Sequence, residues 1–153
     1  MSLNEKLLTL AGDWNGTNRL NMSWELDPIK ESGSTASVRT RAGGTCIEIA
    51  YTWKFEGKPQ EGLIIISDDA GNVHAVWTDS WHSANVLMSC AGTTNAAGAA
   101  NLKGFYKVDG HPDWGWRTEI IPSGDKFEYK MFNVTPEGEE EWAVEMEFSR
   151  LER

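Results

Sequence analysis

Apolar and polar residues alternate along most of this chain. From Trp14 to Leu26, every second residue is apolar or small, and the residues between them are mostly polar. A period of two is typical of a β-strand with one face on the core and the other in water. The pattern returns between Ile47 and Phe55 and between Trp142 and Phe148. We therefore expect antiparallel sheet with one solvated face.

Clusters of glycine, proline, asparagine and aspartate punctuate this alternation at regular intervals. The predicted strands between them cover residues 13–26, 33–42, 45–56, 60–67, 72–82, 85–91, 99–108, 114–121, 126–135 and 140–150. No helix of crossover length fits among them, so hairpins should link neighbouring strands. Closing such an up-and-down meander into a barrel removes both exposed edges. The predicted fold is an all-β closed antiparallel barrel of about ten strands, and a β-sandwich is the alternative.

The N-terminal segment has a different pattern. A leucine stripe that stops at Gly12 predicts a short helix before the first strand, formed by Leu3, Leu7, Leu8 and Leu10. The chain of 153 residues suits one domain, 1–153.

Charge narrows the set of partners. The chain has 23 acidic and 14 basic residues, a formal net charge of −9. Nucleic acid and anionic membrane surfaces would be repelled, so neither is a predicted partner. The start of the chain lacks the features of a signal peptide, so a cytoplasmic location is expected. Cys46 and Cys90 are interpreted as free buried thiols.

Several short motifs occur in a characteristic order. They are Gly12-Asp13-Trp14-Asn15-Gly16, Glu61-Gly62-Leu63, Asp68-Asp69, Trp77-Thr78-Asp79-Ser80 and Glu145-Met146-Glu147-Phe148-Ser149-Arg150. In these motifs the chain resembles the bacterial domain-of-unknown-function family numbered 1579, over almost its whole length. The resemblance implies a lipocalin-like (calycin-type) ten-stranded barrel, akin to the nitrobindins and, more distantly, the fatty-acid-binding proteins. It implies no activity, because none is established for the family.

The resemblance also assigns a structural role to two residues. In lipocalin-like barrels, the tryptophan of the G-x-W segment closes one end and an arginine of the last strand lies across its ring. Trp14 and Arg150 match these positions. Such a cation–π pair contributes on the order of 1 kcal/mol.

No cofactor or metal is predicted. Nitrobindins bind haem through a histidine near the C-terminus, whereas this chain has no histidine after His111 and carries Glu141 to Val144 in that region. On one strand, His74 and His82 would be about 26 Å apart, too far to bind one ion.

Ligand-binding candidates come from the faces predicted to point inward. The eight tryptophans could either fill the barrel or line an aromatic pocket. Among Trp114 and Trp116, one is expected to face inward. The predicted ligand-binding residues are Trp24, Trp53, Trp77, Asp79, Arg117, Tyr129, Met131 and Trp142.

Asp79 is the most informative of these candidates. Alternation places it on the face of Trp77, and a buried carboxylate needs a partner. Arg117, Tyr129, Thr118 and Asn133 are the candidate partners, although Arg117 and Thr118 have opposite orientations along their strand. Asp79 could complete a structural hydrogen-bond network or orient the polar group of a ligand.

The predicted function is the binding of a small apolar or aromatic molecule. The alternatives are a barrel enzyme that uses Asp79 for acid–base chemistry and a filled barrel with a structural or interaction role. No catalytic motif is found, because the consecutive strand residues Asp79 and Ser80 would point to opposite faces. Apolar residues on both faces of Leu63–Ile66 and Phe105–Tyr106 suggest a homodimer.

Overall fold

The computed structural model describes residues 4–151. Its elements in chain order are α1 (Glu5–Leu8), β1 (Gly12–Asn21), β2 (Ile29–Arg41), a 3-10 turn (Ala42–Gly44), β3 (Cys46–Phe55), β4 (Lys58–Asp69), β5 (Asn72–Asp79), β6 (Met88–Thr94), β7 (Ala100–Tyr106), β8 (Trp114–Ser123), β9 (Lys126–Val134) and β10 (Glu140–Arg150).

The ten strands form a closed barrel in which every strand pairs antiparallel with its neighbour in sequence. Pairing of β1 with β10, from Trp14 opposite Arg150 to Leu20 opposite Val144, closes it. The predicted up-and-down barrel is confirmed, and the sandwich alternative is wrong because the sheet joins its own first and last strands. Closure leaves no unpaired sheet edge and gives all the apolar faces one interior.

Alternation determines what fills that interior. In β4, Ile64 and Ile66 are fully buried inside, whereas Leu63 is half-buried and Ile65 is 38% exposed on the outer wall. The outward apolar strip is therefore real, and the homodimer that would cover it stays a prediction. Within residues 4–151, no helix is both long and apolar enough to cross a membrane.

One end of the barrel, which we call the closed end, is sealed by α1. The Asn4 side chain accepts a hydrogen bond from the Lys6 backbone N–H and caps the helix. Leu7 and Leu10 are completely buried. Leu8 is half-buried and packs against the core. Leu3, the remaining leucine of the predicted stripe, lies outside the described residues, and the helix is shorter than its leucine pattern suggested.

Trp14 and Arg150 form the expected pair at this end. The Arg150 guanidinium carbon lies 4.2 Å from the centroid of the buried Trp14 ring. Arg150 also donates through Nη1 to the Ala11 carbonyl at 3.0 Å and through Nη2 to the Thr9 carbonyl at 2.6 Å. These bonds tie the segment after α1 to the last strand.

Gly12 allows the backbone to adopt the conformation that this arrangement requires. Its φ is +138°, a conformation that L side chains rarely adopt, and a Cβ there would lie 2.8 Å from Nη1 of Arg150. The glycine of the Gly12-Asp13-Trp14 motif thus leaves room for the guanidinium.

The opposite end, which we call the open end, carries the longer loops 22–28, 80–87 and 107–113. Two predicted strand ends are wrong here. β1 ends at Asn21, because the Met22 backbone N–H donates to the Pro28 carbonyl and turns the chain. β5 ends at Asp79 and not at residue 82.

Candidate functional site

The open end contains a cavity of about 700 Å³. Residues from β1 and from β5 to β10 line it, together with the loops 22–28, 80–87 and 107–113. It therefore opens between the loops into the mouth of the barrel. Its lining comprises Leu20, Asn21, Trp24, Trp77, Trp81, His82, Ser83, Val86, Met88, Phe105, Tyr106, Lys107, Asp113, Trp116, Asn133 and Ala143.

Aromatic rings form the inner wall and the rim of this cavity. Trp77 and Trp116 are buried and stacked, with centroids 5.2 Å apart and planes at 17°. At the rim, Trp24 is 71% exposed and Phe105 is 60% exposed. The cavity therefore has flat, apolar walls and an apolar entrance.

A hydrogen-bond network centred on Asp79 lies behind the aromatic wall. Asp79 is 1% exposed. Its Oδ2 accepts from the Tyr51 hydroxyl at 2.8 Å and from Trp53 Nε1 at 3.1 Å. Trp77 Nε1 donates in turn to the Tyr51 oxygen at 3.0 Å. The buried carboxylate is thus held by neutral donors and has no basic side chain among them.

Tyr51 reaches Asp79 because the facing residue has no side chain. Gly62 lies opposite both Tyr51 and Asp79 in the sheet, and a Cβ on Gly62 would overlap the Tyr51 ring. Burial, together with the nearby Tyr129 and Asp79, raises the pKa of Tyr51 well above its ordinary value. Tyr51 therefore stays protonated and donates to the carboxylate.

The other oxygen of Asp79 organises the loop 80–87. Oδ1 accepts from the backbone N–H groups of Trp81 at 2.8 Å and His82 at 3.1 Å. Asp79 also donates its backbone N–H to Ser83 Oγ. This Asx-type turn ends β5 and directs His82 back over the barrel mouth, where it lines the cavity.

His82 is enclosed by four tryptophans. Its ring stacks on Trp53 with centroids 5.6 Å apart and planes at 29°. The rings of Trp81, Trp116 and Trp77 lie at 4.7, 5.4 and 6.1 Å. Burial lowers the pKa of His82 to about 4, although the charge of Asp79 acts in the opposite direction. The imidazole is therefore neutral at pH 7.

The predicted inward residues fall at different depths. Trp24 and Trp77 line the cavity, although Trp24 does so from a loop and not from the strand face on which it was predicted. Trp53 and Asp79 lie behind the wall. Tyr129 and Met131 are completely buried and are not among the lining residues. Their role in ligand binding stays a prediction.

Arg117 was one candidate partner of Asp79, with the choice between Arg117 and Thr118 as the inward residue left open, and the structure excludes an inward Arg117. Its guanidinium lies on the outer wall, where it donates to both carboxylate oxygens of Glu140 at 2.9 and 2.8 Å and also pairs with Glu119. Thr118, the next residue, is 1% exposed and faces inward. The alternation along β8 therefore places Thr118 inside the barrel and Arg117 outside. The hydrogen-bond partner beside Asp79 is Tyr51 and not Arg117.

The inward orientation predicted for Trp142 is also wrong. The register of β10 against β9 shifts between Trp142 and Val144, so a bulge at Ala143 interrupts the alternation. Ala143 is buried and lines the cavity. Trp142 instead packs outside, 5.4 Å from the guanidinium of Arg19.

His82 and Tyr51 are not among the ligand-binding residues predicted from the sequence, whereas Trp116 is the buried member of the Trp114 and Trp116 pair of which one was expected inside. The signal for a turn before His82 was Asp79 followed by Ser80, since aspartate and serine favour Asx-type turns. Tyr51 could be paired with Asp79 only by knowing that β3, β4 and β5 are adjacent. Among the described residues, three buried polar atoms have no hydrogen-bond partner: Trp116 Nε1, Thr118 Oγ1 and the Tyr129 hydroxyl.

The last strand lacks the histidine that binds haem in nitrobindins, and no cluster of metal ligands is found among the described residues. Within residues 4–151, no three histidine, cysteine or acidic side chains converge on one point. His82 lies beyond the end of the strand that carries His74, so the predicted separation along one strand does not apply. In the C-terminal segment where nitrobindins supply their histidine, Trp142 faces outward and Ala143 has no donor atom.

A second, larger depression lies on the outer wall. It has a volume of about 830 Å³ and runs along outward residues that include Thr35, Ala50, Leu63 and Thr78. Trp14, Tyr51 and Asp79 also belong to its lining, but they are buried and their side-chain polar atoms are hydrogen-bonded inside the barrel. The open-end cavity is therefore the better candidate site.

The chain matches the family model described as "Protein of unknown function (DUF1579)" over residues 3–150. It belongs to this family. A solved structure, described as "Crystal Structure of Rv2717c from M. tuberculosis", is similar with a TM-score of 0.68 and 14% sequence identity, covering 99% of this chain and 100% of that chain. At this identity the similarity supports the barrel fold. The search of curated proteins found no match.

Proposed function

We propose that this member of the DUF1579 family binds a small apolar or aromatic molecule in the open-end cavity. The supporting observation is the cavity itself: about 700 Å³ lies within the roughly 300–1,000 Å³ of typical small-ligand pockets. Its walls are aromatic and its entrance is apolar, so a flat ligand would bury its faces against indole rings.

The geometry does not favour the two alternatives. Asp79 is almost completely buried and both of its oxygens accept hydrogen bonds, so it has no free position from which to exchange a proton with a substrate. The filled-barrel alternative describes the closed half, where Trp14, Phe127 and Phe148 pack together. It does not account for the space at the open end.

Titration with the uncharged dye Nile red tests the proposal, because its fluorescence rises in apolar surroundings. We expect saturable one-to-one binding with a dissociation constant on the order of micromolar. Ala143→Trp adds an indole inside the cavity and should weaken binding at least tenfold. Ala50→Trp places the same bulk on the outer wall and is the matched control.

Because Ala143 sits at a bulge, Ala143→Trp could alter the fold, so its near-ultraviolet circular dichroism must match that of wild type. Phe105→Ser is a second variant, since this rim residue is 60% exposed and can change without disturbing the core. It should weaken binding severalfold. Equal dye affinity in wild type and in both cavity variants would contradict the proposal.

A further inference from the structure

His82 is held in place by packing and by its own backbone. Asp79 accepts the His82 backbone N–H at 3.1 Å, and the ring is stacked on Trp53 and flanked by Trp116. Two of the neighbouring indole N–H groups are committed, since Trp53 Nε1 donates to Asp79 and Trp77 Nε1 donates to Tyr51. The indole N–H of Trp116 has no partner among the described residues. The imidazole therefore has a defined orientation at the wall of the cavity.

Neither ring nitrogen of His82 forms a hydrogen bond within the described residues, whereas the polar groups of the Asp79 network are paired. The ring is only partly buried and lines the cavity. A neutral imidazole presents one N–H donor and one nitrogen acceptor. His82 thus offers uncommitted hydrogen-bonding atoms beside stacked tryptophans, which is the combination that orients a ligand in an apolar pocket.

The surrounding charge indicates which ligand group would meet this imidazole. The Asp79 carboxylate accepts the His82 backbone N–H, and among residues 4–151 no Lys or Arg lines the inner wall. Lys107, the basic residue of the lining, is on loop 107–113 together with Asp113. An anionic ligand would approach an uncompensated carboxylate in a region of low dielectric. A hydroxyl group turns its positive hydrogen toward that negative field, whereas a carbonyl would turn its oxygen toward it.

We propose that His82 is the polar contact of the open-end cavity and that the ligand is an uncharged, planar aromatic molecule whose hydroxyl group donates a hydrogen bond to the imidazole. This inference rests on the proposed function of the cavity and names the class of its ligand. Trp77 and Trp116 contact the aromatic faces, and His82 selects for the hydroxyl.

Three probes of one shape test the ligand class. 2-Naphthol carries the hydroxyl, 2-methoxynaphthalene blocks it with a methyl group, and 2-naphthoate carries a negative charge. By calorimetric titration at pH 7, 2-naphthol should bind about tenfold more tightly than 2-methoxynaphthalene, which is the effect of roughly 1.4 kcal/mol. 2-Naphthoate should bind most weakly of the three.

Two substitutions of His82 test the residue. His82→Phe keeps an aromatic ring between the tryptophans and removes both nitrogens, so the preference for 2-naphthol should disappear while affinity for 2-methoxynaphthalene stays within about twofold. His82→Gln restores a hydrogen-bonding group and should recover part of the preference. His74→Phe changes an exposed histidine on the outer wall and should leave both affinities unchanged.

The outcomes distinguish the proposed role of His82 from the proposed function of the cavity. If neither Nile red nor any naphthalene probe binds, the cavity is not a ligand site and both proposals fail. If the probes bind but 2-naphthol has no advantage, or if His82→Phe leaves that advantage intact, the cavity stands and the role of His82 is overturned. Equal loss of 2-naphthol and 2-methoxynaphthalene in His82→Phe would likewise overturn it, because it would show a packing role only.

Discussion

At the closed end of the barrel, Trp14 is completely buried and its indole N–H donates to the Leu10 carbonyl at 2.8 Å, whereas at the open end Trp24 is 71% exposed beside a cavity. The closed end is packed and covered. It has short turns such as 70–71 and 124–125, a helix over the opening, and a guanidinium over the indole. The open end has long loops and exposed apolar side chains.

The difference shows that tryptophan content alone does not indicate a binding site. Trp14 contributes to stability because the backbone of the preceding segment satisfies its N–H and Phe127 packs edge-on against it at 4.7 Å. Trp77 and Trp116 instead lie along the cavity, stacked on each other and packed against the His82 ring. The residues of the Asp79 network distinguish the open end from the closed end.

Replacement of Trp14 should produce the largest contrast between the two ends. Trp14→Ala should lower the free energy of unfolding by about 3–5 kcal/mol, because it removes a packed indole from the core. Trp24→Ala, at an exposed position, should change it by less than about 0.5 kcal/mol. Chemical denaturation of both variants gives the comparison.

Arg150→Ala and the double variant sharpen this test. If the ring and the guanidinium act together, the two losses should fall short of additivity by about 1 kcal/mol. Strict additivity would contradict the stacked pair. A loss in Trp24→Ala as large as in Trp14→Ala would contradict the division into a closed and an open end.

Asp79→Asn should have the next largest effect. The amide keeps the shape but offers an NH₂ where one carboxylate oxygen accepts hydrogen bonds, so at least one buried donor among Tyr51, Trp53 and the loop backbone loses its partner. Each such loss costs about 1–3 kcal/mol. We expect a decrease of about 2–3 kcal/mol in the free energy of unfolding measured with urea, and almost none for the control Asp69→Asn, since Asp69 is an exposed residue at the end of β4. Unchanged stability would show that the network does not anchor the loop.

The pH dependence of the free energy of unfolding should reveal the lowered pKa of His82. Its pKa is about 4 in the folded protein and near 6.5 in the unfolded chain. Between these values the unfolded chain binds more protons, so this part of the stability is complete above pH 6.5 and is lost as the pH falls toward 4. Urea unfolding should show a decrease of about 2 kcal/mol from this source between pH 7 and pH 5, at most about 1.4 kcal/mol per pH unit.

The difference between wild type and His82→Gln isolates this contribution from that of the carboxylates. The slope should become shallower in His82→Gln and remain as in wild type in His74→Gln, because His74 is exposed. Identical slopes in all three proteins would place His82 in water and not among the tryptophans.

The smallest expected effect is the response to haem. Because β10 provides no axial ligand at Trp142 or Ala143 and the His82 ring is packed between tryptophans, haem added to the protein should give no stoichiometric complex with a sharpened Soret band. Absorbance titration measures this. A one-to-one complex with a histidine-type spectrum, lost in His82→Phe, would show that the cavity accepts a metal ligand from the loop.

The sequence predicted those features that depend on local alternation or on a short motif. Period-two patterning places Trp77 and Asp79 on the inner face, and the Gly12-Asp13-Trp14 motif together with Arg150 indicates the closed end. These hold because residues two apart on a strand share a face whatever the rest of the chain does.

Only the tertiary structure decided the features that depend on a partner strand. The bulge at Ala143 turns Trp142 outward while Val144 stays inside, since register is set by hydrogen bonding to β9 and one extra residue inverts the alternation on one side of the bulge relative to the other. Tyr51 meets Asp79 across Gly62 because β3, β4 and β5 are neighbours in the closed barrel. His82 reaches the tryptophans of β3 and β8 through a turn that Asp79 holds. Contacts between residues far apart in sequence form only when the barrel closes, so the alternation along one strand does not predict them.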